Sequence, residues 1–181
     1  MSRTHVALLR GINVGGKNKL PMKELAALFG NAGCSTVRTY IQSGNVVFEA
    51  DAEVAGRVPT EISLRIVERF GYTVPVVMRT SKELRAALDD NPFLAEATDP
   101  EHLHVGFLAQ APSPEGLASL DRARSEVDSF CVVGREVYLH VPGGMGRTKL
   151  TTDYFDRRLG TVMTVRNWRT VNALLDMVEA G

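Results

Sequence analysis

The sequence predicts an α+β protein made of two β-α-β-β-α-β halves in tandem, packed into one compact unit. Three observations carry that prediction. Strand-like and helix-like apolar patterns follow one another in the same order twice along the chain. Each half holds a hairpin signal, one around Ser43-Gly44 and one around Gly134. Several strands, such as Ala7-Leu8-Leu9, Val76-Val77-Met78 and Phe107-Leu108, are apolar at consecutive positions. Strands of that kind have both faces covered, and the other half is the simplest cover.

The elements follow in order. His5–Leu9 is a strand and Arg10–Lys19 a loop rich in Gly and Asn. Pro21 suits a helix start, and Met22, Leu25, Ala26 and Phe29 fall on one helical face that Gly30 and Gly33 end. Val37–Ile41 and Asn45–Glu49 form the first hairpin. Pro59 and Thr60 open a second helix, with Ile62, Ile66, Val67 and Phe70 inward and Gly71 as its stop. Val74–Met78 is the fourth strand. Thr80 and Glu83 fit a capping box for a short helix ending near Asp89. His104–Ala109 opens the second half, and Pro112-Ser113-Pro114 starts a helix carrying Leu117 and Leu120. Ser129–Val133 and Glu136–Val141 make the second hairpin. Leu150, Tyr154, Phe155 and Leu159 stripe a helix that Gly160 ends, and a short strand is expected near Val162–Val165. Trp168, Val171, Leu175 and Val178 line the last helix. The expected core aromatics are Phe29, Phe48, Phe70, Phe107, Tyr154, Phe155 and Trp168. The hairpins also match in residue type at an offset of ninety, Tyr40 with Phe130, Gly44 with Gly134, Val47 with Val137 and Phe48 with Tyr138, as expected of an internal duplication. The predicted divisions are 1–79 for the first half, 80–101 for a connector with a short helix, and 102–181 for the second half with an extra C-terminal helix.

Composition narrows the function classes. The 181 residues are 44% apolar and 23% charged, ordinary for a globular protein with a substantial core. Lys+Arg and Asp+Glu number 21 each, so net charge gives no reason to expect a polyanion partner. The charge is unevenly spread. Arg3, Arg10, Lys17, Lys19 and Lys23 crowd the start, and Arg147, Lys149, Arg157, Arg158, Arg166 and Arg169 crowd 143–172. The N-terminus does not read as a signal peptide and no stretch reaches a membrane span, so a cytoplasmic protein with no membrane partner is expected. Cys34 and Cys131 lack CxxC spacing and read as free thiols of a reducing compartment. Nothing in the sequence encodes an oligomeric state.

Three stretches resemble a family when taken together: Leu9-Arg10-Gly11-Ile12-Asn13-Val14-Gly15-Gly16-Lys17-Asn18, Tyr40-Ile41-Gln42-Ser43-Gly44-Asn45-Val46-Val47-Phe48, and Arg166-Asn167-Trp168. The family is the uncharacterised, mainly bacterial domain-of-unknown-function family 1697. Asn91-Pro92-Phe93 and Thr148-Lys149-Leu150-Thr151 are also similar to its pattern, so the resemblance spans essentially the whole chain. It implies paired ferredoxin-like (α–β plait) halves and brings no activity or catalytic residues with it.

The most informative segment is Arg10–Lys19, which joins a strand to a helix N-terminus. Backbone N–H groups there bind anions, Gly15 and Gly16 permit close approach, and Arg10, Asn13 and Lys17 add polar groups. The spacing matches neither a P-loop nor a dinucleotide fingerprint, and the competing reading is a structural turn that needs positive φ. Pro142–Lys149 repeats the logic, with Arg147, Lys149 and a cap at Thr148. Arg166-Asn167-Trp168-Arg169 is read as the start of the last helix, with Trp168 in the core and Arg166 and Asn167 turned to an anion. The leading expectation is therefore a small anionic or phosphorylated ligand, bound where Arg10–Lys19 meets residues 143–169. The alternative is a nucleic-acid-binding protein stacking bases on Tyr40, Phe48, Phe130 and Tyr138. A third class is an enzyme using Lys17, Arg10 or Asn13 on a phosphorylated substrate, with no general base in evidence. His102 and His104 share a strand face without a third ligand, so no metal is expected, and no cofactor motif is present.

Overall fold

The computed structural model describes residues 1–95 and 99–180. Its elements are β1 (Arg3–Leu9), α1 (Met22–Asn31), β2 (Ser35–Tyr40), β3 (Asn45–Ala50), α2 (Ala52–Phe70), β4 (Val76–Thr80) and α3 (Ser81–Asp89). After a 3₁₀ turn at Pro100–His102 come β5 (Leu103–Leu108), α4 (Pro114–Ala118), β6 (Ser129–Val133), β7 (Glu136–His140), α5 (Thr152–Leu159), β8 (Met163–Asn167) and α6 (Trp168–Glu179). The strands form two antiparallel four-stranded sheets in the orders β2-β3-β1-β4 and β6-β7-β5-β8. That order twice over is the expected α+β, ferredoxin-like arrangement and fits a duplication. The chain divides into two units, residues 1–85 with the chain from Leu174 onward, and residues 86–173. The connector expected over 80–101 falls in part on residues 96–98, and the last expected boundary on residue 181, both outside the described residues.

In the first unit, Ala7, Leu9, Val46, Phe48 and Val76 point to α1 and α2 and pack against Leu25, Phe29, Val58, Ile62 and Ile66. The alternate residues Val6, Leu8, Val47 and Val77 are buried too, so both faces of this sheet are covered. The end of α6 supplies part of that cover: Arg38 of β2 donates from Nη2 to the Met177 carbonyl at 2.8 Å, and Arg85 pairs with Glu179. In the second unit, Leu108, Val137, Leu139 and Met163 pack against Leu150, Tyr154, Phe155 and Leu159. Val105, Phe107 and Tyr138 on the opposite face are buried as well.

Helix ends follow local chemistry. Thr80 and Glu83 form the expected capping box: Thr80 N–H donates to Glu83 Oε2 at 2.8 Å, and Glu83 N–H to Thr80 Oγ1 at 3.3 Å. Gly160 closes α5 in the left-handed conformation, φ +67°. The second helix departs from expectation. It begins at Ala52, with Asp51 Oδ1 accepting from Val54 N–H at 2.9 Å, and Pro59 lies inside it. An interior proline forfeits one hydrogen bond and crowds a carbonyl, about 3 kcal/mol. Val58, Ile62 and Ile66 are fully buried, each contributing about 1.5–3 kcal/mol, and together they outweigh it. The fourth strand likewise runs Val76–Thr80 rather than Val74–Met78.

The hairpins do not correspond at an offset of ninety. Val46 and Phe48 face the helices in the first unit, and Val137 and Leu139 do so in the second, so Phe48 corresponds to Leu139 and Val47 to Tyr138. The turns differ as well. Tyr40 pairs with Asn45 across residues 41–44, whereas Val133 pairs with Glu136 across 134–135. Of the expected core aromatics, Phe29, Phe48, Phe107, Tyr154 and Phe155 are buried, while Phe70 and Trp168 are only half-buried.

Candidate functional site

The loop after β1 is a small braced hairpin. Val14 and Lys17 form an isolated antiparallel bridge, with Lys17 N–H donating to the Val14 carbonyl at 3.0 Å. Asn13 braces its base: Nδ2 donates to the carbonyls of Leu20 (2.9 Å) and Gln42 (2.8 Å), and Oδ1 accepts from Leu20 N–H at 2.9 Å. Asn18 Nδ2 closes the other side on the Gly11 carbonyl at 2.9 Å. Gly15 and Gly16 take φ of +57° and +76°, and a Cβ at either would meet nothing within 4 Å. The dihedral, not the space, selects glycine there. Arg10 N–H is spent on the Pro75 carbonyl at 3.0 Å, and Lys17 lies exposed at the tip. A hollow of 420 Å³ lies beside the loop, lined by Asn13, Gly16, Lys19, Leu20, Pro21 and Gln42. Both amide hydrogens of Asn13 are occupied by backbone, so its role here is to hold the loop.

The second Gly-rich loop, Pro142–Lys149, is anchored through Thr148. Its hydroxyl donates to Asp128 Oδ2 at 2.6 Å and accepts from Leu150 N–H at 3.0 Å. Thr148 is therefore not the expected cap of α5. Thr151 caps it, its Oγ1 accepting from Tyr154 N–H at 3.2 Å. Arg147 and Lys149 are exposed, and the Lys149 carbonyl accepts from Arg124 Nε at 2.7 Å. That bond leads to a cluster the sequence did not single out. Arg124 stacks over the Tyr154 ring at 4.0 Å to the centroid, and Arg158 stands over the same ring at 5.9 Å. Tyr154 is fixed in turn, its hydroxyl accepting from Asp121 N–H at 2.7 Å. With Arg157, Thr151 and Asp153 these residues line a hollow of 370 Å³. None of Arg124, Arg157 and Arg158 is ion-paired with a carboxylate among the described residues.

Arg166 and Asn167 are placed differently from expectation. Both belong to β8, where Arg166 pairs with Val105 and Asn167 with His104. Arg166 is 7% exposed, and its Nη1 donates to Thr164 Oγ1 and to the Val165 carbonyl, both at 2.9 Å. Burial pulls its pKa down to about 10, so the guanidinium is charged at neutral pH but does not stand at a helix end. Arg79 occupies the same register position in the first sheet, opposite Val6, and likewise donates to its preceding carbonyl, that of Met78, at 2.7 Å. Asn167 is exposed and caps α6, its Oδ1 accepting from Thr170 N–H at 2.8 Å. Phe48 and Tyr138 are fully buried, which removes them as base-stacking surfaces. Among the described residues no group of three or more His, Cys, Asp or Glu could hold a metal ion. No helix among them is long and apolar enough to cross a membrane. Cys34 is buried, and burial raises its thiol pKa to about 11.

One signal for the arginine cluster is in the sequence: Tyr154, Arg157 and Arg158 fall at i, i+3 and i+4 of one helix. Arg124 comes from a loop 30 residues earlier than Tyr154 in the sequence, and only the fold brings it there.

Comparison with known proteins agrees with the fold and adds no activity. A conserved bacterial protein from Streptococcus pneumoniae has a similar solved structure, with a TM-score of 0.73 at 21% identity, over 98% of this chain and 99% of that one. No curated protein sequence matches the chain. The profile of a family described as protein of unknown function (DUF1697) matches residues 1–138, and the chain belongs to that family.

Proposed function

We propose that the protein binds a small anionic or phosphorylated ligand, in the second unit, at the hollow formed by Arg124, Arg157 and Arg158 beside the Pro142–Lys149 loop. The observation that carries this reading is three guanidinium groups around one hollow, none of them ion-paired with a carboxylate among the described residues although Asp153 also lines it. Like charges gathered this way repel, and a bound anion relieves the repulsion. Arg124 is held in advance by the Lys149 carbonyl and the Tyr154 ring, so ordering it at binding costs little. Its remaining N–H groups form a fork suited to a phosphate or carboxylate. The exposed Arg147 and Lys149 add long-range attraction. At the first-unit loop, Lys17 and Lys19 contribute charge but Asn13 is committed to backbone, so the arginine hollow is the stronger site.

The test is thermal denaturation with inorganic phosphate against chloride at matched ionic strength. A specific site gives a rise that grows with the logarithm of phosphate concentration above the dissociation constant, worth about 1.4 kcal/mol at ten times that constant. Arg124→Gln and Arg158→Gln should each remove that part while leaving the general salt response. A phosphate response that survives both substitutions unchanged would end this reading.

A further inference from the structure

A second hollow lies at a different place in the same unit, where β8 passes into α6. It measures 470 Å³ and is lined by Pro100, Glu101, His104, Asn167, Trp168 and Arg169, a volume in the range that takes a small organic ligand. Trp168 is the single tryptophan of the chain, and it is only half-buried although it begins an otherwise core-facing helix stripe. The first unit provides an internal comparison. There His5 pairs with Thr80 in the register that His104 shares with Asn167. The helix after β4 begins with Ser81, where α6 begins with Trp168. The corresponding hollow is lined by Met1, Arg3, His5, Asp51, Ala52, Glu53 and Thr80. It carries two carboxylates and no aromatic wall besides the imidazole. The strand-to-helix junction is thus built with a serine in one half. The fold does not require a large, partly exposed aromatic in the other.

The remaining groups of the hollow complement a flat polar heterocycle bearing an anion. Trp168 offers a π-face for stacking. Asn167 spends its Oδ1 on the Thr170 N–H, and its amide N–H groups make no bond among the described residues. Glu101, on the lining of the same hollow, supplies an acceptor. An adenine edge presents the matching pair, a ring-nitrogen acceptor and an exocyclic amino donor. Arg169 is exposed, forms no ion pair among the described residues and is free to take a phosphate. His104 also lines the hollow, and its Nδ1 is buried without a hydrogen-bond partner. We propose that the hollow between Trp168, Asn167, Arg169 and Glu101 binds an adenine nucleotide unit, stacked on Trp168 with its phosphate on Arg169. The unit can be a free nucleotide or part of a single strand, since base stacking and phosphate pairing are common to both.

Trp168 is its own reporter, because a base stacked on the chain's single indole quenches the fluorescence. Adenosine monophosphate and a short oligoadenylate are titrated into the full chain, with ribose 5-phosphate and inorganic phosphate as controls without a base. The expected result is saturable quenching by adenosine monophosphate, by the oligoadenylate, or by both, and none by the controls. Tight quenching by the monophosphate alone identifies a free nucleotide; tighter quenching by the oligoadenylate identifies a strand. By calorimetry, Trp168→Ala should weaken binding about tenfold or more. Arg169→Gln should weaken it about fivefold. Asn167→Asp keeps an acceptor for the α6 cap, and it should weaken binding while the circular dichroism stays that of the natural chain. Failure of both adenine probes to give saturable quenching would overturn the proposal. So would equal affinity for ribose 5-phosphate, or full affinity in the Arg169→Gln chain. The phosphate response assigned to Arg124 and Arg158 is read separately, by melting, and its fate leaves this test untouched.

Discussion

Replacing Gly44 with alanine isolates what the β2–β3 turn demands. Gly44 has φ of +80°, and a Cβ there would lie 2.7 Å from Leu9 Cβ and 2.8 Å from Ile12 Cδ1. Comfortable carbon contacts are about 3.5–4.0 Å. The Ile12 methyl can swing aside, but Leu9 Cβ is fixed by its own strand, whose N–H donates to the Gly44 carbonyl at 2.8 Å. The substitution therefore adds backbone strain of about 1–2 kcal/mol to overpacking of about 1–3 kcal/mol, a loss of about 2–5 kcal/mol. Gly15→Ala is the matched control, with φ of +57° and nothing within 4 Å of the new methyl; it should lose only the backbone part, about 1–2 kcal/mol. Urea melts of the natural chain and both variants, compared at common slope, separate the terms. If Gly44→Ala lost no more than Gly15→Ala, the steric account of this turn would be wrong.

Two further outcomes follow from single groups. Burial holds the His5 and His104 pKa values below the ordinary 6.5, against backbone hydrogen bonds at Ala50 and His102 that favour the charged rings. The folded state thus prefers neutral rings. The stability they contribute is complete above pH 6.5, falls as pH drops below it, and levels off once the lowered folded values are passed. Melting temperatures across about pH 7 to 5 should fall, and His5→Gln with His104→Gln should flatten that slope; an unchanged slope would assign the acid sensitivity elsewhere. Asp51→Ala should cost about 1 kcal/mol by uncapping α2, and Asp51→Ser should restore most of it, both read from urea midpoints; equal stability of all three chains would show that the cap contributes nothing.

What the sequence disclosed was what lies within one turn of itself. The Thr80–Glu83 capping box, the Gly160 stop and both hairpins are short-range devices whose residues touch. Pro59 misled because proline is commonest at a helix start, while Asp51, an equally local cap, was passed over. Arg166 failed for another reason. A basic residue before a helical stripe looks like a helix end, and only pairing with β5 decides that the strand continues through Asn167. The arginine hollow was half visible, as the Tyr154, Arg157 and Arg158 face; Arg124 joins it through a backbone carbonyl that no pattern encodes.

The two halves also show why residue-type matching misses a register. An offset of ninety aligns Phe48 with Tyr138 and looks persuasive, because both are aromatic. Side chains alternate across a strand, so an error of one residue exchanges the faces. Phe48 packs on Phe29 beneath the helices, whereas Tyr138 is on the face that bears Val105 and Phe107. Aligned by pairing instead, the halves agree where the sheet needs it: His5 with His104, Val6 with Val105, Arg79 with Arg166. Agreement between pair-matched positions records what the fold demands, and disagreement marks where it leaves a choice. Ser81 against Trp168 is such a place, and the choice of the only tryptophan there is the difference on which the nucleotide proposal for the second-unit hollow rests.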